Sequence, residues 1–250
     1  MTIVFEDLTK GIKIYQLGNI VVKWYLIESP SEVFLIDTGF AGFWKQFLDA
    51  MRKIKRNINE VSAVLLTHAH IDHTGFAEIA RQRTTAEVYI HDLGAKSAPF
   101  DHFEIPSEIM ANLWRPRFLF TFIVQAVKYK AFSAKPIGEV QTFKDKQKLE
   151  FPGSPEVIYT PGHSIDHCAF YFEEWGVLFS GDAICTSSPI TLRKNLPHVL
   201  KPGDDPDLAM KTIDAFSRIE DVLMLPGHGE PWKGNLKKEL IEIKKRGLLL

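Results

Sequence analysis

The sequence contains only two cysteines, Cys168 and Cys185, among its 250 residues. Two thiols make no disulfide framework, and their scarcity fits a reducing compartment. Both read as plain buried thiols. The chain also lacks a dominant charge: the formal net charge is −1. That balance gives no reason to expect nucleic acid or an anionic membrane as a partner. Long apolar runs are missing too. The longest, residues 118–127, is bounded by Arg117 and Lys128 and falls well short of the roughly 20 residues that span a bilayer. The opening Met-Thr-Ile-Val-Phe-Glu-Asp has no basic stretch followed by an apolar one. No signal peptide is therefore read, and the expected location is the cytoplasm.

What is present is ordinary globular material, 45% apolar and 24% charged, enough for a sizeable core. Short strands are expected at residues 12–17, 20–27 and 33–37, followed by a helix in which Phe43, Phe47, Met51 and Ile54 recur at helical spacing. A strand at 61–67, a helix near 76–82 and a strand at 87–91 come next. Further strands are expected at 140–143, 147–151, 156–160, 168–172, 177–180 and 222–225, with helices at about 207–219 and 237–246. This order, without a linker, predicts two α+β halves fused into one four-layer domain over 1–250. Residues 99–135 differ: Pro99, Pro106 and Pro116 mix with Phe100, Phe103, Trp114 and the apolar run. They read as an insertion, helical over about 111–130 and broken near Pro116.

The chemistry concentrates in residues 67–75, Thr-His-Ala-His-Ile-Asp-His-Thr-Gly. His68, His70, Asp72 and His73 offer imidazole and carboxylate, the ligands of zinc and similar borderline metals. The apolar, β-branched segment before them places them on a turn at a strand end, where neighbouring side chains can be aimed at one point. Three more strand ends carry such residues, each just after a glycine: His163, Asp182 and His228. Each signal alone is a common turn. Four strand-end signals with metal-ligand chemistry are hard to obtain from unrelated turns. Five histidines and two aspartates suffice for two ions. His91, His102, His167 and His198 have no such context and are read as structural.

These motifs resemble those of the metallo-β-lactamase-fold hydrolase superfamily over nearly the whole chain. His68, His70, Asp72 and His73 match its His-x-His-x-Asp-His signature. His163, Asp182 and His228 match its three later ligand positions, and Leu35-Ile-Asp37-Thr-Gly matches its first motif. The resemblance implies an αββα sandwich with two divalent ions at one edge, zinc being expected and iron or manganese the alternatives. One ion would be held by His68, His70 and His163, the other by Asp72, His73 and His228, with Asp182 bridging. Asp37 would orient ligands from behind, and Asp72 would also relay a proton to the leaving group. A metal-bridging hydroxide would cleave an ester, thioester or lactone.

Within the superfamily, true β-lactamases usually carry cysteine where Asp182 stands. Hydroxyacylglutathione thioesterases add a helical C-terminal region, whereas 22 residues follow His228. Acyl-homoserine lactonases have tyrosine three positions after the bridging aspartate, where this chain has Cys185. The remaining alternatives are a mononuclear iron persulfide dioxygenase and a phosphodiesterase or ribonuclease of the same fold. The expected partner is a small molecule, with no nucleic acid and no membrane. The insertion is read either as a lid whose Trp114, Phe118, Phe120 and Phe122 line a substrate pocket, or as a homodimer interface.

Overall fold

A computed structural model describes residues 1–96 and 107–249. Pro99, Phe100, His102, Phe103 and Pro106 of the insertion lie outside the described residues. The first sheet is built from β1 (Thr2–Asp7), β2 (Ile12–Gly18), β3 (Lys23–Glu28), β4 (Val33–Ile36), β5 (Val61–Leu65), β6 (Glu87–His91) and β7 (Gln141–Phe143), side by side in chain order. The strands β1 to β4 pair antiparallel as hairpins, and β4 to β7 pair parallel. Parallel neighbours need a crossover, and helices supply it: α1 (Trp44–Lys53) between β4 and β5, then α2 (Ile71–Thr74) and α3 (Ala77–Arg83) between β5 and β6. The insertion holds α4 (Ser107–Asn112) and α5 (Pro116–Lys128). Pro116 stands in the first turn of α5, where its missing N–H costs nothing.

The second sheet is formed by β8 (Glu156–Tyr159), β9 (Cys168–Phe172), β10 (Val177–Gly181), β13 (Asp221–Pro226) and β14 (Trp232–Asn235). A separate hairpin pairs β11 (Cys185–Ser187) with β12 (Lys194–His198). The helices α6 (Pro206–Thr212) and α7 (Leu236–Arg246) belong to this half.

Alternation along the strands sorts the side chains into three apolar layers. Trp24, Leu26, Val33 and Leu35 face Phe43, Phe47 and Phe76 on the outer side of the first sheet. Tyr25, Ile27, Phe34 and Ile36 meet Phe170, Phe172, Val177 and Phe179 between the sheets. Leu178, Val222 and Met224 meet Ala209, Leu240 and Ile243 of α6 and α7. Helix, sheet, sheet, helix: this is the four-layer α+β sandwich expected.

Several local readings need correction. Residues 147–151 are not a strand: Leu149 is buried but its neighbours face water, and a positive-φ Lys146 leaves only an isolated bridge to β8. The strand read from Ile20 begins at Lys23, because Asn19 Oδ1 accepts from the N–H of Val21 and Val22 and holds a turn there. The helix read over 207–219 tightens into a 3₁₀ turn from Ile213. Strands β1, β11, β12 and β14 are short or polar and carried no clear periodic signal.

Candidate metal centre

The two sheets meet along one edge, and the meeting is made by backbone. Between the sheets, Cys168 N–H donates to the Thr67 carbonyl at 2.9 Å and Lys23 N–H to the Gly227 carbonyl at 2.7 Å; within the second, Gly227 N–H donates to the Gly181 carbonyl at 2.8 Å. The Tyr25 hydroxyl donates to the Pro226 carbonyl at 2.7 Å. The ends of β5, β10 and β13 are thereby drawn together, and the residues that follow each end face one space.

All seven residues read as ligands converge there. Ligand atoms of His68, His70 and His163 form one group and those of Asp72, His73 and His228 another, each with all its atoms within 4.8 Å of one another. His68, His73 and Asp182 form a third group that joins the first two. Asp182 Oδ2 stands at the middle, 3.0 Å from His228 Nε2, 3.2 Å from His163 Nε2 and 3.6 Å from His73 Nε2. His70 Nδ1 lies 3.0 Å from His163 Nε2.

The rear nitrogens of four histidines are occupied. His228 Nδ1 donates to the Val21 carbonyl at 2.6 Å and His163 Nδ1 to the Pro202 carbonyl at 3.2 Å. His73 Nδ1 donates to Asp37 Oδ2 at 2.8 Å, and His68 Nδ1 lies 3.0 Å from Thr67 Oγ1. Each such bond selects the tautomer with Nε2 unprotonated and aimed inward. Nε2 of His68 and of His73 is buried with no hydrogen-bond partner. Buried nitrogens without partners are costly, and a cation in the space they face would satisfy both. The donor set therefore fits divalent metal.

Asp37 does more than support His73. Its carboxylate also accepts from Thr67 N–H at 2.8 Å and from Thr67 Oγ1 at 2.9 Å. One buried group thus fixes the start of the histidine turn and its last ligand. The residue sits at φ 58°, a left-handed conformation that aspartate tolerates better than most residues. Close packing surrounds the ligands. A Cβ on Gly227 would stand 2.3 Å from Asp182 Oδ1 and 2.7 Å from His73 Cε1, so glycine is required there.

Burial and neighbouring charge divide the imidazoles. Burial, reinforced by the adjacent imidazoles, holds His68 well below the usual histidine range. Burial likewise depresses His163, against the opposing pull of Asp182. For His73, burial is outweighed by the carboxylates of Asp182, Asp37 and Asp72, which hold it well above the ordinary value. His228 is raised against burial by Asp182, then Asp72. Asp182 is held well below the usual carboxylate range, burial notwithstanding, by His228, His73 and His163. The same carboxylates that favour positive charge on His73 and His228 would favour a cation in the space they face.

One histidine read as structural stands in the same shell. Asp182 N–H donates to His167 Nε2 at 2.9 Å, and His167 Nδ1 lies 2.8 Å from Thr160 Oγ1. Burial pushes His167 down to about 3, so it stays neutral and its Nε2 remains an acceptor. It positions the loop that carries Asp182. Its spacing in His163-Ser-Ile-Asp-His167 was the available signal. Cys185 also reaches the site, its Sγ 3.9 Å from Asp182 Oδ1, and burial followed by that carboxylate pushes the thiol up. His91 stacks on Tyr159 and His198 Nδ1 donates to the Leu196 carbonyl; neither joins the donor groups.

The insertion aromatics do not share one environment. Phe118 is buried, Phe122 packs on Phe118 and Phe132, and Trp114 and Phe120 are 76% and 70% exposed.

The fold and donor set define a metal-binding αββα protein with its site at the joined sheet edge. The family model of the metallo-beta-lactamase superfamily matches residues 17–228, and the chain belongs to that superfamily. It is 25% identical to the probable metallo-hydrolase YflN of Bacillus subtilis, over 92% of this chain and 88% of that one. It spans about half the length of several other curated relatives, among them thioesterase pkgB of Emericella nidulans, 25% identical over 82% of this chain and 45% of that protein. The metallo-beta-lactamase family protein TTHA1429 of Thermus thermophilus superposes with a TM-score of 0.64 at 22% identity, covering 93% of this chain and 78% of that one. TTHA1623, solved in a di-iron-bound form, gives 0.60 at 22% identity over 94% and 97%.

Proposed function

We propose that the protein is a dinuclear metal-dependent hydrolase of esters, thioesters or lactones, with zinc as its working metal. The observation that carries this reading is the convergence of His68, His70, His163, Asp72, His73 and His228 in two groups around Asp182 Oδ2. A persulfide dioxygenase would need only two histidines and an aspartate on one iron, so a second complete group favours the two-ion reading. The names of YflN as a probable metallo-hydrolase and pkgB as a thioesterase support hydrolysis.

When bound, a pair of divalent ions supplies an acidified water as nucleophile and a Lewis acid for the developing oxyanion. The chain's own residues do the rest. Asp182, buried and ionised, offers one oxygen to both groups. Asp37 keeps His73 and the Thr67 turn aimed inward. Asp72 is the most exposed carboxylate of the set at 23%, against 2% for Asp182 and 4% for Asp37, and so is placed to pass a proton to a leaving group. Ile165, in the loop after His163, and Ile20, beside the Val21 that holds His228, are exposed. Large exposed apolar groups in the loops that carry His163 and support His228 favour a substrate with an acyl or aromatic portion.

Metal-quantified protein tested on ester, thioester, lactone and phosphodiester panels examines the proposal. About two zinc ions per chain with ester, thioester or lactone turnover is expected. His70→Ala should abolish turnover while the Asp72–His73–His228 group still retains metal. A single iron with oxygen uptake, or turnover confined to phosphodiesters, would refute the reading.

A further inference from the structure

Helix α5 has two faces of opposite destiny. Phe118, Phe122 and Gln125 turn inward, where Gln125 Oε1 accepts from Asn19 Nδ2 at 2.5 Å. On the opposite side, Phe120, Ile123 and Val127 recur at helical spacing and are 70%, 50% and 74% exposed, with Trp114 just before the helix. Single exposed apolar residues are ordinary, but a contiguous patch of large ones marks a surface that meets something.

The charge beside this patch has one sign. From Met110 to Gly138 the sequence has five cations, Arg115, Arg117, Lys128, Lys130 and Lys135, and no aspartate or glutamate. Arg117 and Lys128 fall about three helical turns apart on one flank of α5. Arg115 lies over the Trp114 ring, 5.4 Å from its centroid. A twofold pairing of this face with a second copy would set Arg117 and Lys128 against cations of the other copy. The complement of an apolar face edged by cations is instead a surface apolar beneath and anionic above.

We infer that Trp114 and α5 form a docking element for an anionic lipid surface. The aromatic and aliphatic side chains enter the acyl boundary, and the arginines and lysines stay among the headgroups. The helix lies on the bilayer and does not cross it: it has 13 residues, and no described helix is long and apolar enough to span. The net charge of −1 is an average over the chain that hides this segregation. The inward face of α5 is tied to the donor loop, because Asn19, bonded to Gln125, shares its turn with Val21, whose carbonyl receives His228 Nδ1.

Co-sedimentation of the full chain with vesicles tests the inference without reference to catalysis. Binding is expected to vesicles of phosphatidylcholine with about 30% phosphatidylglycerol, to weaken with added salt, and to be slight with phosphatidylcholine alone. The double variant Arg117→Glu/Lys128→Glu should partition about 30-fold more weakly or worse. Ile123→Ser/Val127→Ser should also lose binding, with far-ultraviolet circular dichroism confirming that both variants fold. Absence of vesicle binding, equal binding to neutral vesicles, or a solution dimer that Val127→Ser dissociates would each overturn it.

Discussion

At the scale of single residues, the centre depends on groups that would never touch an ion. Asp37→Asn keeps the shape and tolerates the left-handed backbone, but loses the charge that faces His73 and one acceptor for Thr67. Metal affinity, measured by equilibrium dialysis against zinc, should fall about 10- to 100-fold. An unchanged affinity would show that Asp37 only shapes the turn. Gly227→Ala should weaken binding at least as much, since its Cβ would collide with Asp182 Oδ1 and His73 Cε1. The carboxylates around His73 and His228 favour their protonated forms, and an incoming ion must compete with those protons. Metal loading should therefore strengthen as pH rises, by about tenfold per pH unit for each proton displaced. Proton release on zinc addition, followed with an indicator dye in weak buffer, reads this directly; no release would count against it.

Among the elements, the strand ends matter more than the strands. Each candidate ligand follows the point where β5, β8, β10 or β13 stops, and at or after the last three stops a glycine, Gly162, Gly181 or Gly227, allows the chain to turn tightly. The sandwich must also be rigid to keep those ends together. Phe170 of β9 is fully buried and meets Phe143 of β7 edge-on across the sheets, with centroids 5.5 Å apart. Phe170→Ala should cost about 3–5 kcal/mol in denaturant unfolding. A loss below about 1 kcal/mol would mean that the layer collapses around the gap. Which elements were readable follows from their burial. The strands β4, β5 and β10, buried on both faces, announced themselves as apolar runs. The hairpin β11–β12 and the edge strands β1 and β14 did not, because their pairing is decided by what lies beside them.

Across the molecule, metal binding at the edge would tie both halves together, since His68, His70, Asp72 and His73 come from the first and His163, Asp182 and His228 from the second. A ligand that binds only the folded state stabilises it by mass action, by about 2.7 kcal/mol at a hundredfold excess over Kd. Chelation should accordingly lower the melting temperature by several degrees, and zinc should restore it. A melting temperature indifferent to chelator would imply that the donors do not bind in the folded state.

Residue identity and order were enough to pick out the seven side chains that converge, because ligand chemistry is a property of the side chain, and the strand-end context of each lies within a few residues of it. They were enough for the layered class too, through the period of the apolar residues. Long-range packing settled what remained. The contact of His70 with His163, the three-way grip of Asp37 and the acceptor role of His167 behind Asp182 join residues distant along the chain, and no local pattern encodes such distances. The same holds for α5: its periodicity showed an apolar run, but which of its phenylalanines turn inward depends on the loop it packs against.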